Sequence, residues 1–143
     1  MNEDYELIDI ALGDGYMCSE LVSCRSGRSH IEEWSHDPKK RQMLQKLIVH
    51  LRKICQYGIT TSCRTDKLRM LDSKTGLYEI KGFDGVNREM SCCITEQGGV
   101  ARIALLFPFR GHQGGDKIKP ADMERGKELS CIAKSLMKER STW

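Results

Sequence analysis

Gly76-Leu77-Tyr78-Glu79-Ile80-Lys81-Gly82, then Asn87-Arg88-Glu89-Met90-Ser91-Cys92-Cys93-Ile94, then Arg102-Ile103-Ala104-Leu105-Leu106-Phe107-Pro108-Phe109-Arg110-Gly111-His112 are three largely apolar runs in succession, and their reading decides the fold. Between 77 and 81 the side chains alternate, with Tyr78 and Ile80 on one face and Leu77, Glu79 and Lys81 on the other. That is the period of two of a half-buried strand. Residues 88–94 repeat the period with Met90, Cys92 and Ile94 on one side, and 102–107 is close to the unbroken apolar run of a central strand. Residues 82–86 and Gln97-Gly98-Gly99 supply the turns, because glycine reaches the positive φ of tight connections. An antiparallel meander is predicted. Its cations are out of place: Lys81, Arg88, Arg102 and Arg110 lie in or just beyond strands, where a purely structural sheet favours Thr, Val or Tyr.

The meander needs an apolar partner, and the sequence offers one upstream. Asp37 is a good N-cap and Pro38 a good first helical residue. After them Met43, Leu44, Leu47, Ile48, Leu51, Ile54 and Cys55 recur at three- and four-residue steps along one face, and Tyr57-Gly58 ends the run with a residue suited to the left-handed cap. A second helix is predicted from Pro120 to about Arg140, with Leu129, Ile132, Ala133, Leu136 and Met137 on one face. Ser29 caps a short helix over 30–35, with Glu32 and Glu33 where the helix dipole favours anions. Residues 16–24 read as a strand. Residues 1–15 form an acidic leader in which Tyr5, Leu7, Ile8, Ile10 and Leu12 fit either a strand or one helical turn. Residues 60–75 are a basic connector with a short strand at 67–71, and 111–119 a polar loop.

The 143 residues suit one domain, divided here into the 1–15 extension and a body of 16–143. No run approaches the roughly 20 apolar residues of a membrane span. The N-terminus is acidic where a secretory signal is basic and then apolar, so a cytoplasmic location is expected. Seven cysteines without a Cys-x-x-Cys pair indicate free, mostly buried thiols and no zinc cluster. Net charge is +3, yet residues 1–37 hold nine acids and two bases, a balance of −7 that leaves +10 on the remainder. Two readings of that asymmetry stand: a body that attracts a polyanion such as RNA, with a leader that shields it in cis, or simply solvated faces.

No phosphate loop, paired-carboxylate motif or His-x-x-x-His pair occurs. What remains is a set of cations beside one histidine. A hairpin brings Lys81 to Arg88, Arg110 and His112 leave the third strand, and Arg64, Lys67 and Arg69 enter the first, so one positively charged patch is expected. Cleavage of RNA by its own 2′-hydroxyl needs a base, an acid and a cation for the charge on the phosphorane. His112 suits either proton-transfer role, while Arg88 and Lys81 suit the phosphate. Each also has a plain reading: His112 as a surface residue, Arg88 as the cross-strand partner of Glu79, Arg102 as an edge residue that snorkels. His30, His36 and His50 are read as structural or exposed.

At these residues the chain resembles the RelE/ParE-like toxin superfamily, and within it the HigB-like, phage-derived branch. Gly76-Leu77-Tyr78-Glu79-Ile80-Lys81 is similar to its Gly-Leu-Tyr-Glu-Leu-Arg pattern, and Asn87-Arg88-Glu89-Met90 falls where the family has Tyr-Arg-Val. Leu105-Leu106-Phe107-Pro108-Phe109 resembles its last strand, and Lys119-Pro120 through Glu124, Arg125 and Lys127 its helix start. The family's terminal Phe-x-Lys-Lys is here Phe109-Arg110-Gly111-His112. The resemblance covers roughly residues 17–140. It implies an α+β fold: a small twisted antiparallel sheet of about four strands, two helices packed on one face and a C-terminal helix. It implies a toxin-type endoribonuclease that cleaves mRNA on the ribosome without metal or cofactor. Arg88, His112, Lys81 and Arg110 are its catalytic candidates, and Arg64, Lys67, Arg69 and Lys117 its RNA-binding ones. The implied partners are mRNA, the ribosome and a cognate antitoxin of helix-turn-helix type. A gyrase-directed toxin and an inert antitoxin- or nucleic-acid-binding module are the other two readings.

Overall fold

The computed structural model describes residues 4–95, 99–111 and 118–141. The elements in chain order are β1 (Tyr5–Gly13), β2 (Tyr16–Ser23), α1 (His30–His36), α2 (Arg41–Tyr57), α3 (Ile59–Arg64), β3 (Leu68–Asp72), β4 (Leu77–Ile80), β5 (Asn87–Thr95), β6 (Ala101–Arg110) and α4 (Pro120–Ser141). The predicted meander is β4-β5-β6, with Leu77 opposite Cys92 and Cys92 opposite Ala104.

The sheet is wider than the four strands expected. Six strands lie in the order β1-β2-β6-β5-β4-β3, and every neighbouring pair is antiparallel except β2 with β6. One strand outside the four is β3, at the edge beside β4, which is the short strand expected at 67–71. The other is the acidic leader itself, whose two readings resolve to a strand. Residues Tyr5 to Ala11 pair in regular register with Ser23 to Met17, and Leu7 and Leu12 are buried. Gly13, Asp14 and Gly15 all take positive φ in the tight turn that follows, the conformation for which the Gly-Asp-Gly sequence is suited.

The helices are not all on one face. Alternation sorts the sheet into two cores, one with Ile80, Cys93, Ile103 and Leu105 and the other with Leu77, Met90, Cys92 and Ala104. The first face is covered by α1, α2 and α3, where Leu47, Leu51 and Ile54 of α2 are sealed from water. Burying each such side chain contributes about 1.5–3 kcal/mol. The second face is covered by α4 through Leu129, Ala133 and Met137. The long apolar run of β6 is thus explained, since a central strand with helices above and below has no wet side.

Helix α2 begins at Arg41, three residues later than predicted. Pro38 to Lys40 form a turn, and the amides of Lys40 and Arg41 both donate to the Asp37 carbonyl at 3.0 Å. Gly58 closes α2 at φ 88 and α3 follows at once, in the stretch read as a connector. Strand β6 carries a bulge: Met90 faces Phe107 while the next residue, Ser91, faces Leu105. The extra residue keeps Leu106, Phe107 and Phe109 all on the α4 side. Among the described residues no helix is long and apolar enough to cross a membrane.

Candidate nucleic-acid interface

Strand register places the predicted cations. Arg69 of β3 faces Glu79 of β4, Glu79 faces Met90 of β5, and Arg88 lies two residues before Met90. All three point to the α4 side of the sheet, near the end where β6 finishes. Glu79 is buried at 4% exposure and receives both arginines, Arg69 Nε at 3.0 Å and Arg88 Nε at 3.9 Å. A buried carboxylate without such partners would be costly, so the two guanidiniums and the acid fix one another. The plain reading of Arg88 as a cross-strand partner of Glu79 therefore holds, with Arg69 as a second partner that the sequence did not disclose.

Lys81 continues the cluster. Its Nζ lies 2.9 Å from Asp66 Oδ1 in the turn before β3. That bond, with the charges of Lys81, Arg88 and Arg69, holds the Asp66 carboxyl below the usual carboxylate range. Lys67 donates from Nζ to Thr65 Oγ1 at 3.4 Å, and Arg64 is exposed at the end of α3. So Arg69, Lys81 and Arg88 come together, with Arg64 and Lys67 alongside, but each of the first three meets a carboxylate. The patch is less positive than five bases would suggest.

Arg110 departs from the expected grouping. It pairs with Asn87 and Arg88 pairs with Phe109, and neighbours along a strand point to opposite faces, so Arg110 and Arg88 straddle the sheet. Arg110 instead joins Trp34, Lys39 and Lys40 on the α1–α2 side. His112 and Lys117 lie outside the described residues. The residue before His112 is placed: the Gly111 amide donates to the Val86 carbonyl at 2.7 Å, and a Cβ on Gly111 would stand 2.9 Å from Arg88 Nε. The backbone at Gly111 passes directly over the Arg88 guanidinium, and a side chain there would push the guanidinium aside.

The sequence reading missed the densest polar cluster. His30 opens α1 with Nδ1 at 3.0 Å from Glu20 of β2 and Nε2 at 2.9 Å from both oxygens of Glu89 of β5. Ser29, the N-cap of α1, accepts from the Glu32 amide and donates its hydroxyl to Glu20 at 2.5 Å. Glu20 and Glu89 are both buried. Burial alone would depress the imidazole, but the charge of Glu89 and the hydrogen bonds to Glu20 and Glu89 outweigh it and raise His30 to about 10. An imidazolium between two carboxylates follows. The signal was available: Glu20 and Glu89 occupy positions of strands whose neighbours on that face are Cys18 and Val22, and Ser91 and Cys93. An acid there needs an internal cation.

Among the described residues no group of three or more His, Cys, Asp or Glu side chains is arranged to hold a metal ion. Compared with known proteins, the chain matches no family model, no curated protein and no solved structure.

Proposed function

We propose that the protein is a toxin-type endoribonuclease whose reacting phosphate sits at Arg88. The observation that carries this reading is the seating of Arg88: Glu79 anchors it, Lys81 and Arg69 flank it, and Gly111 crosses it without a side chain. A guanidinium fixed before the substrate arrives stabilises developing charge without reorganising. The covering glycine leaves its donors within reach of a phosphate. The residue bonded to Gly111 is a histidine, which brings proton-transfer chemistry to the same place. The order of the elements, an amphipathic helix before the meander and a helix after it, also agrees with the resemblance drawn from the sequence.

In this reading the 2′-oxygen attacks phosphorus as a base removes its proton. The bond from phosphorus to the 5′-oxygen then breaks as an acid protonates that oxygen, which leaves a 2′,3′-cyclic phosphate and a free 5′-hydroxyl. Arg88 stabilises the phosphorane between these steps, and His112 is the base or the acid. The mRNA on the ribosome is the substrate and an antitoxin the restraint.

Purified protein added to a translating extract is expected to cut mRNA, and Arg88→Ala to lower the rate by about 100- to 1,000-fold, the scale for loss of one preorganised donor. Intact mRNA, with Arg88→Ala and His112→Ala no less toxic to cells than wild type, would sink the proposal. Pulse-labelling after induction separates the alternatives: arrest of DNA synthesis ahead of protein synthesis indicates a gyrase-directed toxin, and unaffected growth an inert binding module.

A further inference from the structure

The ladder between β2 and β6 is two residues long, Ser19 to Ala104 and Glu20 to Leu105. The β6 bulge comes next, and the two strands part. The gap is a cleft of about 600 Å³, walled by Leu21 and Ser23 on one side and by Leu106, Phe107 and Pro108 on the other. Glu20, His30 and Trp34 line it within, and Lys40, Arg125 and the Arg28–Glu33 ion pair lie at its wall. Two hollows continue it around the end of β6. One of about 360 Å³ shares Trp34, Lys40 and Pro108 with the cleft, and one of about 530 Å³ shares Pro108, Phe109 and Arg110 with the second. The last reaches Lys119 and Gly111, and Gly111 lies on Arg88. One groove therefore runs from Arg88 around the end of β6 into the cleft.

Its charges differ from those of the Arg88 cluster. Arg69, Arg88 and Lys81 each meet a carboxylate, whereas Lys39, Lys40, Arg110 and Lys119 form no ion pair among the described residues. Cations free of a direct ion pair attract a polyanion more strongly than bridged ones, although Glu33 lies within the field of Lys40, and Asp84 and Asp122 line the two hollows with them. Aromatic surface is interleaved with them. The Arg125 guanidinium carbon lies 4.3 Å from the centroid of the Phe107 ring, over its face, and arginine guanidinium planes are surfaces on which nucleobases stack. The cleft has the volume of sites that enclose a small ligand.

We infer that this groove is the track of a single-stranded RNA, with backbone phosphates on Lys39, Lys40, Arg110 and Lys119 and one base turned into the cleft beside Trp34 and Arg125. The inference rests on RNA being the ligand, as proposed above, but concerns binding and not cleavage. An acidic peptide would satisfy the cations and leave the cleft and its Arg125 guanidinium without a purpose. A single strand uses both.

The chain has two tryptophans, Trp34 and Trp143, so a Trp143→Phe background isolates the one in the groove. The probe is a 2′-O-methyl RNA of about 12 nucleotides, within the span such grooves cover, which lacks the nucleophile and cannot be cut. Binding is expected to quench Trp34. Lys40→Glu with Arg110→Glu should weaken it at least about tenfold and lower the salt slope by about 0.7 for each phosphate no longer neutralised. Both residues are exposed, and a glutamate at position 40 sits where the start of α2 favours an anion, so misfolding is not the expected cause of a loss. Lys74→Glu with Lys138→Glu makes the same charge change outside the groove and should leave affinity within about twofold. Equal losses from both pairs, RNA binding without change at Trp34, or a polyglutamate peptide that competes as well as RNA would each overturn the inference. Binding as described without cleavage overturns only the nuclease reading. Cleavage with binding indifferent to Lys40 and Arg110 overturns only the groove, and no RNA binding removes both.

Discussion

At the scale of single residues, Gly111 carries the sharpest consequence. Its missing side chain leaves space that Arg88 Nε fills, since a Cβ there would approach to 2.9 Å. Gly111→Ala must displace the guanidinium without touching either core. RNA cleavage is expected to fall by about 100-fold or more, the loss when a preorganised donor is moved, with the urea midpoint unchanged. Unchanged cleavage would mean that Arg88 has no part in the chemistry. Arg88 was legible because a base opening a half-apolar strand stands out; Arg69 was not, because its role depends on β3 lying beside β4 and so on a register no local pattern reports. Arg110 was grouped with Arg88 by nearness along the chain and separated from it by strand parity. His30 shows the same limit from the other side. Glu20, His30 and Glu89 are far apart in sequence, and only the parallel meeting of β2 and β6 closes the distance. His30→Ala strands Glu89, buried at 0% exposure, and is expected to cost about 3–5 kcal/mol in urea unfolding.

Among the elements, α2 and the meander were legible because each carries its own period, seven apolar positions on one stripe or strict alternation. The leader carried neither cleanly. In β1 only Leu7 and Leu12 are buried, while Glu6, Ile8 and Asp9 face outward at the sheet edge. Its acids are not laid over the Arg88 cluster. Asp4 pairs with Arg25, Asp9 with Arg140 and Asp14 with Arg52, and Arg140 also donates to the Leu7 carbonyl at 2.9 Å. The strand joins β2 to the last turn of α4 and seals Leu12 against the α2 core. Removal of residues 1–14 is therefore expected to unfold the protein and not to unmask a stronger RNA site. The finer test is Leu12→Ala, which leaves a cavity at a residue 2% exposed and should cost about 2–5 kcal/mol. A change below about 1 kcal/mol would make β1 an appendage of the fold after all.

The molecule as a whole is two apolar layers closed on one sheet, with the Ser29–Glu20–His30–Glu89 cluster tying β2, α1 and β5 together where the sheet is least paired. Its stability should depend on pH in a way this cluster dictates. His30 titrates near 10 folded and from 6.5 unfolded, so between these values the folded state holds the extra proton. Its contribution is complete below pH 6.5 and falls as pH rises. His50 works in the opposite sense: burial lowers its imidazole, so stability is lost as pH drops below 6.5. Asp9, hydrogen-bonded by Arg140, and Asp84, hydrogen-bonded by the Asn87 amide, sit below their ordinary value and add a further loss in acid. Burial raises the thiols of Cys18 and Cys93, which steepens the decline above roughly pH 8.5, where unfolded thiols ionise. From pH 6.5 to 8.0 the slope belongs to the His30 cluster, in which burial also raises the Glu89 carboxyl. Urea midpoints measured across that interval are expected to fall steadily for the wild type, and to lie lower throughout for His30→Gln, which leaves the buried Glu89 carboxyl without its cation. A wild-type midpoint that holds or climbs from pH 6.5 to 8.0 would mean that the folded Glu20–His30–Glu89 cluster holds no proton beyond those of the unfolded chain.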